Sequence, residues 1–184
     1  MTDCPIVKSG AKSKFLAALY DAADVLAAVI AMIAILLVFF VRAAAVDGHS
    51  MEPTLHDKDR LLVTAFLAAP RRGQIVIISP ERNEHHKPLV KRVIAVGGDK
   101  VDIFNGGVFV NDHKLDETYL PEGTVTNVGD LFPSGGDYPF TVPAGHCFVM
   151  GDNRGVSSDS RFQAVGFVGQ NDLIGRVLFR FWPR

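Results

Sequence analysis

Apolar residues follow two different patterns along this chain. From Val25 to Val41 they run without interruption (VLAAVIAMIAILLVFFV), with no charge, Gly or Pro. Extending the run back to Phe15 adds only the charges of Asp21 and Asp24. At about 1.5 Å per residue, such a stretch crosses the roughly 30 Å hydrocarbon core of a bilayer. It is apolar on every side, unlike a helix that docks one face on a soluble core. The pattern predicts a transmembrane helix over 15–42, a short segment 1–14 before it, and a domain over 43–184 after it. A cleavable secretory signal is the competing reading. Lys8, Lys12 and Lys14 would form its basic start, and Ala43-Ala44-Ala45 its cleavage site. The run exceeds the usual h-region of about 7–15 residues, and Arg42 sits just before the small residues, so an uncleaved anchor is favoured.

After Ala45 the apolar residues come in short runs bounded by turn residues. Gln74–Ser79, Leu89–Val96, Val101–Phe104, Val108–Asn111, Cys147–Met150 and Ile174–Phe181 are rich in branched and aromatic side chains and read as strands. Asn105-Gly106-Gly107 between two of them is a hairpin signal. Gly123 to Pro143 is rich in Gly and Pro and reads as a long loop or small satellite. Many short strands with this punctuation predict a mainly β domain, an antiparallel barrel or sandwich.

Composition changes this picture little. The chain has 184 residues, 48% of them hydrophobic and 21% charged, with a formal net charge of −1. Nucleic-acid proteins usually carry a strong basic excess, so no nucleic acid is expected as a partner. The mean hydropathy of +0.19 is the average of one apolar span and an ordinary domain. Lysines precede the span and Arg42, Lys58 and Arg60 follow it, which weakly favours an N-terminus inside. The two cysteines, Cys4 and Cys147, would be separated by the membrane and could not pair.

Some chemical candidates are bland. Glu84-His85-His86 matches no standard zinc spacing, and no metal or cofactor is expected. His49 beside Ser50 is not a Ser–His pair, and no G-x-S-x-G elbow is present. Gly97-Gly98 is a turn. Three segments carry more. In Gly48-His49-Ser50-Met51-Glu52-Pro53-Thr54-Leu55, a serine sits in a tight segment with Pro53 fixing the backbone just after it. In Lys91-Arg92-Val93-Ile94-Ala95-Val96-Gly97-Gly98-Asp99, strand alternation puts Lys91 on the inward face with Val93 and Ala95, and Arg92 on the other. Burial there would lower the lysine pKa and let it act as a neutral base. The third is Gly151-Asp152-Asn153-Arg154 followed by Ser157-Ser158-Asp159-Ser160-Arg161, a dense polar cluster directly after a strand.

In this order, after an anchor, S-M-x-P-T-L, K-R-V-x-x-x-G-G-D, G-D-N-R-x-x-S-x-D-S-R and a closing G-R strand resemble the type I signal peptidases. These are membrane-anchored Ser/Lys peptidases that remove signal sequences from exported proteins. The resemblance implies an antiparallel β catalytic domain with a small insertion, about 105–145. It implies Ser50 as nucleophile, Lys91 as general base and Ser157 as the residue that orients the lysine amine. Asp159 and Arg161 would hold the loop to the catalytic strand, with Gly151, Asp152, Asn153 and Arg154 framing it. It implies no cofactor, preprotein signal peptides as substrates, a lipid bilayer and a secretion translocon close by. The place would be the cell (inner) membrane, with the N-terminus cytoplasmic and the domain extracytoplasmic, periplasmic in a Gram-negative cell.

The chain departs from the family pattern at a few positions. Gly48 stands where some members carry a second serine that helps the oxyanion hole, so the backbone N–H of Ser50 is the donor that can be named. Gly73-Gln74 replaces Gly-Asp, Val156 replaces a common Asn, and Gln163-Ala164-Val165 lengthens the loop. Small residues are expected at the first and third positions before the cut, with Val46, Leu55 and Val90 as candidate pocket walls. Two rival readings stay open: a specialised peptidase of the same clan, for conjugation or organelle export, and a catalytically inactive membrane-anchored β module that binds a partner. A soluble Ser/Lys self-cleaving repressor is disfavoured, because such proteins lack a span and carry a DNA-binding domain.

Overall fold

A computed structural model describes residues 10–65, 69–79, 87–130 and 138–182. The chain divides into two units, 1–40 and 41–184. The first is a single helix, α1, Gly10–Phe40. Its interior has no Pro, and Ala, Leu and Ile dominate, which suits a helix. Phe15, Tyr20, Val25 and Ile30 are all exposed, and the window Lys14–Ile35 has a mean hydropathy of 2.0 with none of it buried in protein. A helix this apolar all round fits a membrane anchor, where lipid takes the place of a protein core.

The second unit is built from two antiparallel sheets. The larger joins β1 (Val41–Ala45), β2 (Arg60–Thr64), β11 (Leu173–Trp182), β3 (Ile75–Ile78), β4 (Leu89–Val96), β9 (His146–Met150) and β10 (Val168–Gly169), in that spatial order. The smaller has the order β7 (His113–Lys114), β6 (Gly107–Val110), β5 (Lys100–Phe104), β8 (Phe140–Thr141). It is inserted between β4 and β9, starting a few residues earlier than the expected insertion, and β8 falls inside the Gly123–Pro143 segment. The mainly antiparallel β expectation holds, and all six strand runs read from the sequence are strands. Asn105 and Gly106 both adopt positive φ (49° and 76°), and Phe104 pairs with Gly107. That is the two-residue turn an Asn-Gly pair encodes, because both central positions need left-handed backbone.

Two local features differ from the sequence reading. Val41 and Arg42, expected at the end of the anchor, pair with Thr64 and Val63 in β1. Val41 continues the apolar run, so nothing local marks the change of geometry, and pairing with β2 decides it. The expected face shared by Lys91, Val93 and Ala95 is also interrupted. β4 bulges between Val93 and Ala95 against β9. Val93 then packs with Val76, Ile78 and Val149, while Ala95 joins Ile94, Val101 and Phe148 in another cluster. One extra residue in a ladder flips the alternation beyond it. A third cluster, of Val46, Met51, Leu55, Leu61, Val63 and Ile77, lies under the turn that carries Ser50.

Candidate active site

Ser50 sits in a turn between β1 and β2 that is pinned from several directions. Gly48 has φ +101° and its N–H donates to Asp57 Oδ1 at 3.0 Å. A side chain would strain this left-handed position. Met51 and Leu55 are buried in the core below. Asn153 N–H donates to Ser50 O at 3.0 Å, and Asn153 Nδ2 donates to His49 O at 3.2 Å. The hydroxyl is therefore presented by a backbone held at both ends.

Lys91, from the middle of β4, is 2% exposed and its Nζ lies 2.8 Å from Ser50 Oγ. Burial pulls its pKa from the ordinary 10.5 down to about 8; Arg161 adds to the fall, while Asp159 and Asp152 oppose it. The cause is the loss of hydration by an ammonium held in a low-dielectric site. His49, which the sequence reading set aside as a base, pairs instead with Glu52, Nδ1 to Oε1 at 2.8 Å.

The loop after β9 surrounds the pair with buried charge. Arg161 donates to Asp159 through Nε at 2.8 Å and through Nη2 at 2.9 Å, and both side chains are fully buried. Asp159 Oδ2 also accepts the Gly151 N–H at 3.0 Å. Arg161 further donates to the carbonyls of Arg154 and Asn127. Gly151 is the close-approach point of the site. A Cβ there would lie 2.2 Å from Ser157 Oγ and 2.4 Å from Ser50 O. Ser157 is buried, and its hydroxyl makes no hydrogen bond among the described residues.

Asp152 and Arg154 tie the loop to distant parts of the chain. Asp152 accepts from Arg92 Nε at 2.8 Å and Nη2 at 2.6 Å, and from Thr54 Oγ1. This pair ties the nucleophile turn, the lysine strand and the loop together. Arg154 donates to Gly151 O at 3.0 Å, to Thr126 Oγ1 at 2.7 Å and to Glu117 Oε1 at 2.5 Å. Tyr119 lies under the Arg92 guanidinium, 3.9 Å from ring centre to Cζ. Sequence reasoning missed Thr54, Arg92, Glu117, Tyr119 and Thr126 as supports. Arg92 had one available signal, a second cation in the interior of a strand, which demands a buried acid. Glu117 and Tyr119 had none, because long-range pairing alone brings them there.

An apolar cleft of about 420 Å³ opens beside Ser50, lined by Val46, Ile77, Leu89, Val90 and Ile174 among others. Val46 and Val90 line this cleft; Leu55 packs with both in the core cluster under the turn. Cys147 is buried in the other core, its pKa pushed up to about 12 by burial, which leaves the thiol inert as a nucleophile. Among the described residues no cluster of His, Cys, Asp and Glu could hold a metal. Cys4 and Glu84-His85-His86 lie outside the described residues.

A hydroxyl and a buried amine at hydrogen-bond distance, on an antiparallel β frame, form the constellation of Ser/Lys hydrolases. The family model for signal peptidase, peptidase S26, matches residues 19–182. The chain belongs to that family, and membership makes it a signal-peptide-cleaving serine peptidase. It is 36% identical over 157 residues to signal peptidase IB of Staphylococcus aureus (strain Mu50 / ATCC 700699), covering 79% of this chain and 80% of that protein. It is 36% identical over 152 residues to "Probable signal peptidase I-2" of Synechocystis sp. (strain ATCC 27184 / PCC 6803 / Kazusa), covering 79% of this chain and 65% of that protein. A crystal structure of a signal peptidase I from Enterococcus faecalis V583 matches with a TM-score of 0.48 and 30% identity, over 62% of this chain and 100% of that one.

Proposed function

We propose that Ser50 is the nucleophile and Lys91 the general base of this peptidase, acting on preproteins from the outer side of a membrane. The observation that carries the assignment is the 2.8 Å approach of a buried lysine amine to a serine hydroxyl. Neutral Lys91 takes the hydroxyl proton as Ser50 Oγ attacks the scissile carbonyl carbon. The oxyanion forms against the Ser50 N–H. The lysine ammonium then protonates the leaving amine; Lys91 next deprotonates a water that attacks the acyl carbon, and it returns that proton to Ser50 Oγ as the ester bond breaks. Ser157 is assigned to orienting the amine, supported by its burial and its uncommitted hydroxyl. Asp159, Arg161, Asp152, Asn153 and Arg154 act as positioning residues. Small side chains before the cut enter the apolar cleft at Val46 and Val90.

The activity–pH profile tests the base. Only the neutral amine accepts a proton, so activity is held above the lysine pKa and lost as pH falls through it. On a peptide substrate, kcat/KM is expected to rise with pH to a midpoint near 8, the value burial imposes on Lys91. Each pH unit below that costs about tenfold. A profile that stays flat through pH 8, with no ascending limb there, would exclude the buried Lys91 amine as the base.

The chain's own geometry supports a site near the bilayer. Ser50 comes nine residues after Val41, a link that spans at most about 30 Å. A membrane-held substrate cut just outside the bilayer would therefore meet Ser50 at high effective concentration. Exposed Leu178, Phe179 and Phe181 on β11 give the domain an apolar surface suited to lipid contact. The N-terminus is assigned to the cytoplasm and residues 43–184 to the far side, next to the secretion translocon that delivers preproteins. In sealed inside-out vesicles, added protease should leave the domain intact. Digestion before the vesicles are opened would reverse the orientation.

A further inference from the structure

Two clefts meet the turn that carries Ser50 at opposite ends. The apolar cleft touches it at Val46, Asp47 and Ser50. A second cleft, of about 280 Å³, touches it at Glu52 and Pro53. One wall of this second cleft is Asp152–Gly155; the other is supplied by the inserted loop at Pro121, Thr124 and Val125. The backbone between the clefts is the stretch that Asn153 grips at His49 O and Ser50 O. A substrate cut in its interior must leave the nucleophile on both sides, and the apolar cleft accounts for only one of them.

The charges around the second cleft are unequal. Asp152 is neutralised by Arg92, and Arg154 by Glu117, all largely buried. Glu52 is different: its side chain is 34% exposed and the His49 side chain that pairs with it is 67% exposed. Opposite stands Val125, 61% exposed and uncharged. Among the residues that line this cleft, Glu52 is therefore the solvent-facing acidic group, tied to a histidine that water can reach.

We infer that this second cleft receives the first residues of the mature chain, those just after the scissile bond, and that Glu52 makes it favour basic over acidic side chains there. The inference rests on the peptidase reading above. The insertion then contributes Val125 as a wall of the substrate path.

The test uses the full-length protein in detergent and two peptide substrates that differ only in Lys or Glu at the second position after the cut. Wild type is expected to cleave the Lys peptide with a kcat/KM about threefold to fivefold higher, the scale of a partly exposed charge pair. In Glu52→Gln the ratio should fall to about one. In Val125→Lys, which changes the opposite wall and leaves Glu52 in place, it should fall as well. The same substitution pair placed five positions before the cut should keep its wild-type ratio in both variants. A wild-type ratio of one, or a preference that survives Glu52→Gln, overturns the subsite while leaving the peptidase standing. Failure of the wild type to cleave either peptide removes the peptidase reading, and the subsite with it.

Discussion

Replacing Ser50 with Ala, or Lys91 with Ala or Met, is expected to lower kcat/KM on a preprotein by roughly 10⁴-fold or more. The two groups act as a unit, so each single variant should cost nearly as much as both together. Lys91→Arg should be equally inactive, because a guanidinium stays charged and cannot accept the serine proton. The measurement is cleavage of a preprotein in detergent, followed by gel shift. Cleavage at the wild-type rate by any of these variants would refute the dyad. Lys91→Met also separates catalysis from folding. The displacement of the lysine pKa from 10.5 to about 8 corresponds to about 3 kcal/mol of destabilisation. The folded-state value lies below the unfolded one, so the cost is fully present below pH 8 and fades as pH rises to 10.5. Lys91→Met should therefore be inactive yet melt at a higher temperature than wild type at pH 7. A lysine kept at this cost is the trade of stability for activity expected of an active site.

Asp159→Asn is expected to cause the largest loss of stability. Its carboxylate and the Arg161 guanidinium are both fully buried, and each supports further loop contacts. Removing one member of a buried pair leaves the other charge without compensation, which costs about 3–5 kcal/mol. For a domain of this size that lowers the melting midpoint by roughly 10 °C. The same variant has a second signature. Asp159 holds the Lys91 pKa up and Arg161 pushes it down. Asp159→Asn should then shift the activity midpoint to lower pH, and Arg161→Met should shift it to higher pH. A purely structural role would lower activity in both without moving the midpoint in opposite directions.

Legibility in the sequence followed the range of each interaction. The Asn105-Gly106 turn was readable because its conformation depends on two adjacent residues. The strand Leu89–Val96 was readable at its ends because flanking turn residues bound it. The bulge within it was not, since it arises from pairing with β9, a strand far along the chain. The start of β1 was hidden for a related reason. Val41 and Arg42 are strand residues because Thr64 and Val63 lie opposite them, and nothing local distinguishes them from a helix end. Within the site, Ser50, Lys91 and the Asp159–Arg161 loop carried motif signals.

By itself, the sequence determined the long apolar helix, the antiparallel β class and the family, and it singled out the two residues proposed to react. These follow from composition, two-residue periodicity and local motifs, all of which are short-range properties of a chain. Only the tertiary structure decided what makes a lysine at position 91 usable. Its amine must lie 2.8 Å from a hydroxyl 41 positions earlier. It must also be cut off from water by a loop that Arg92, Glu117 and Thr126 tie down from distant parts of the chain. Desolvation is a property of everything packed around a group, and a linear pattern of residues does not specify it.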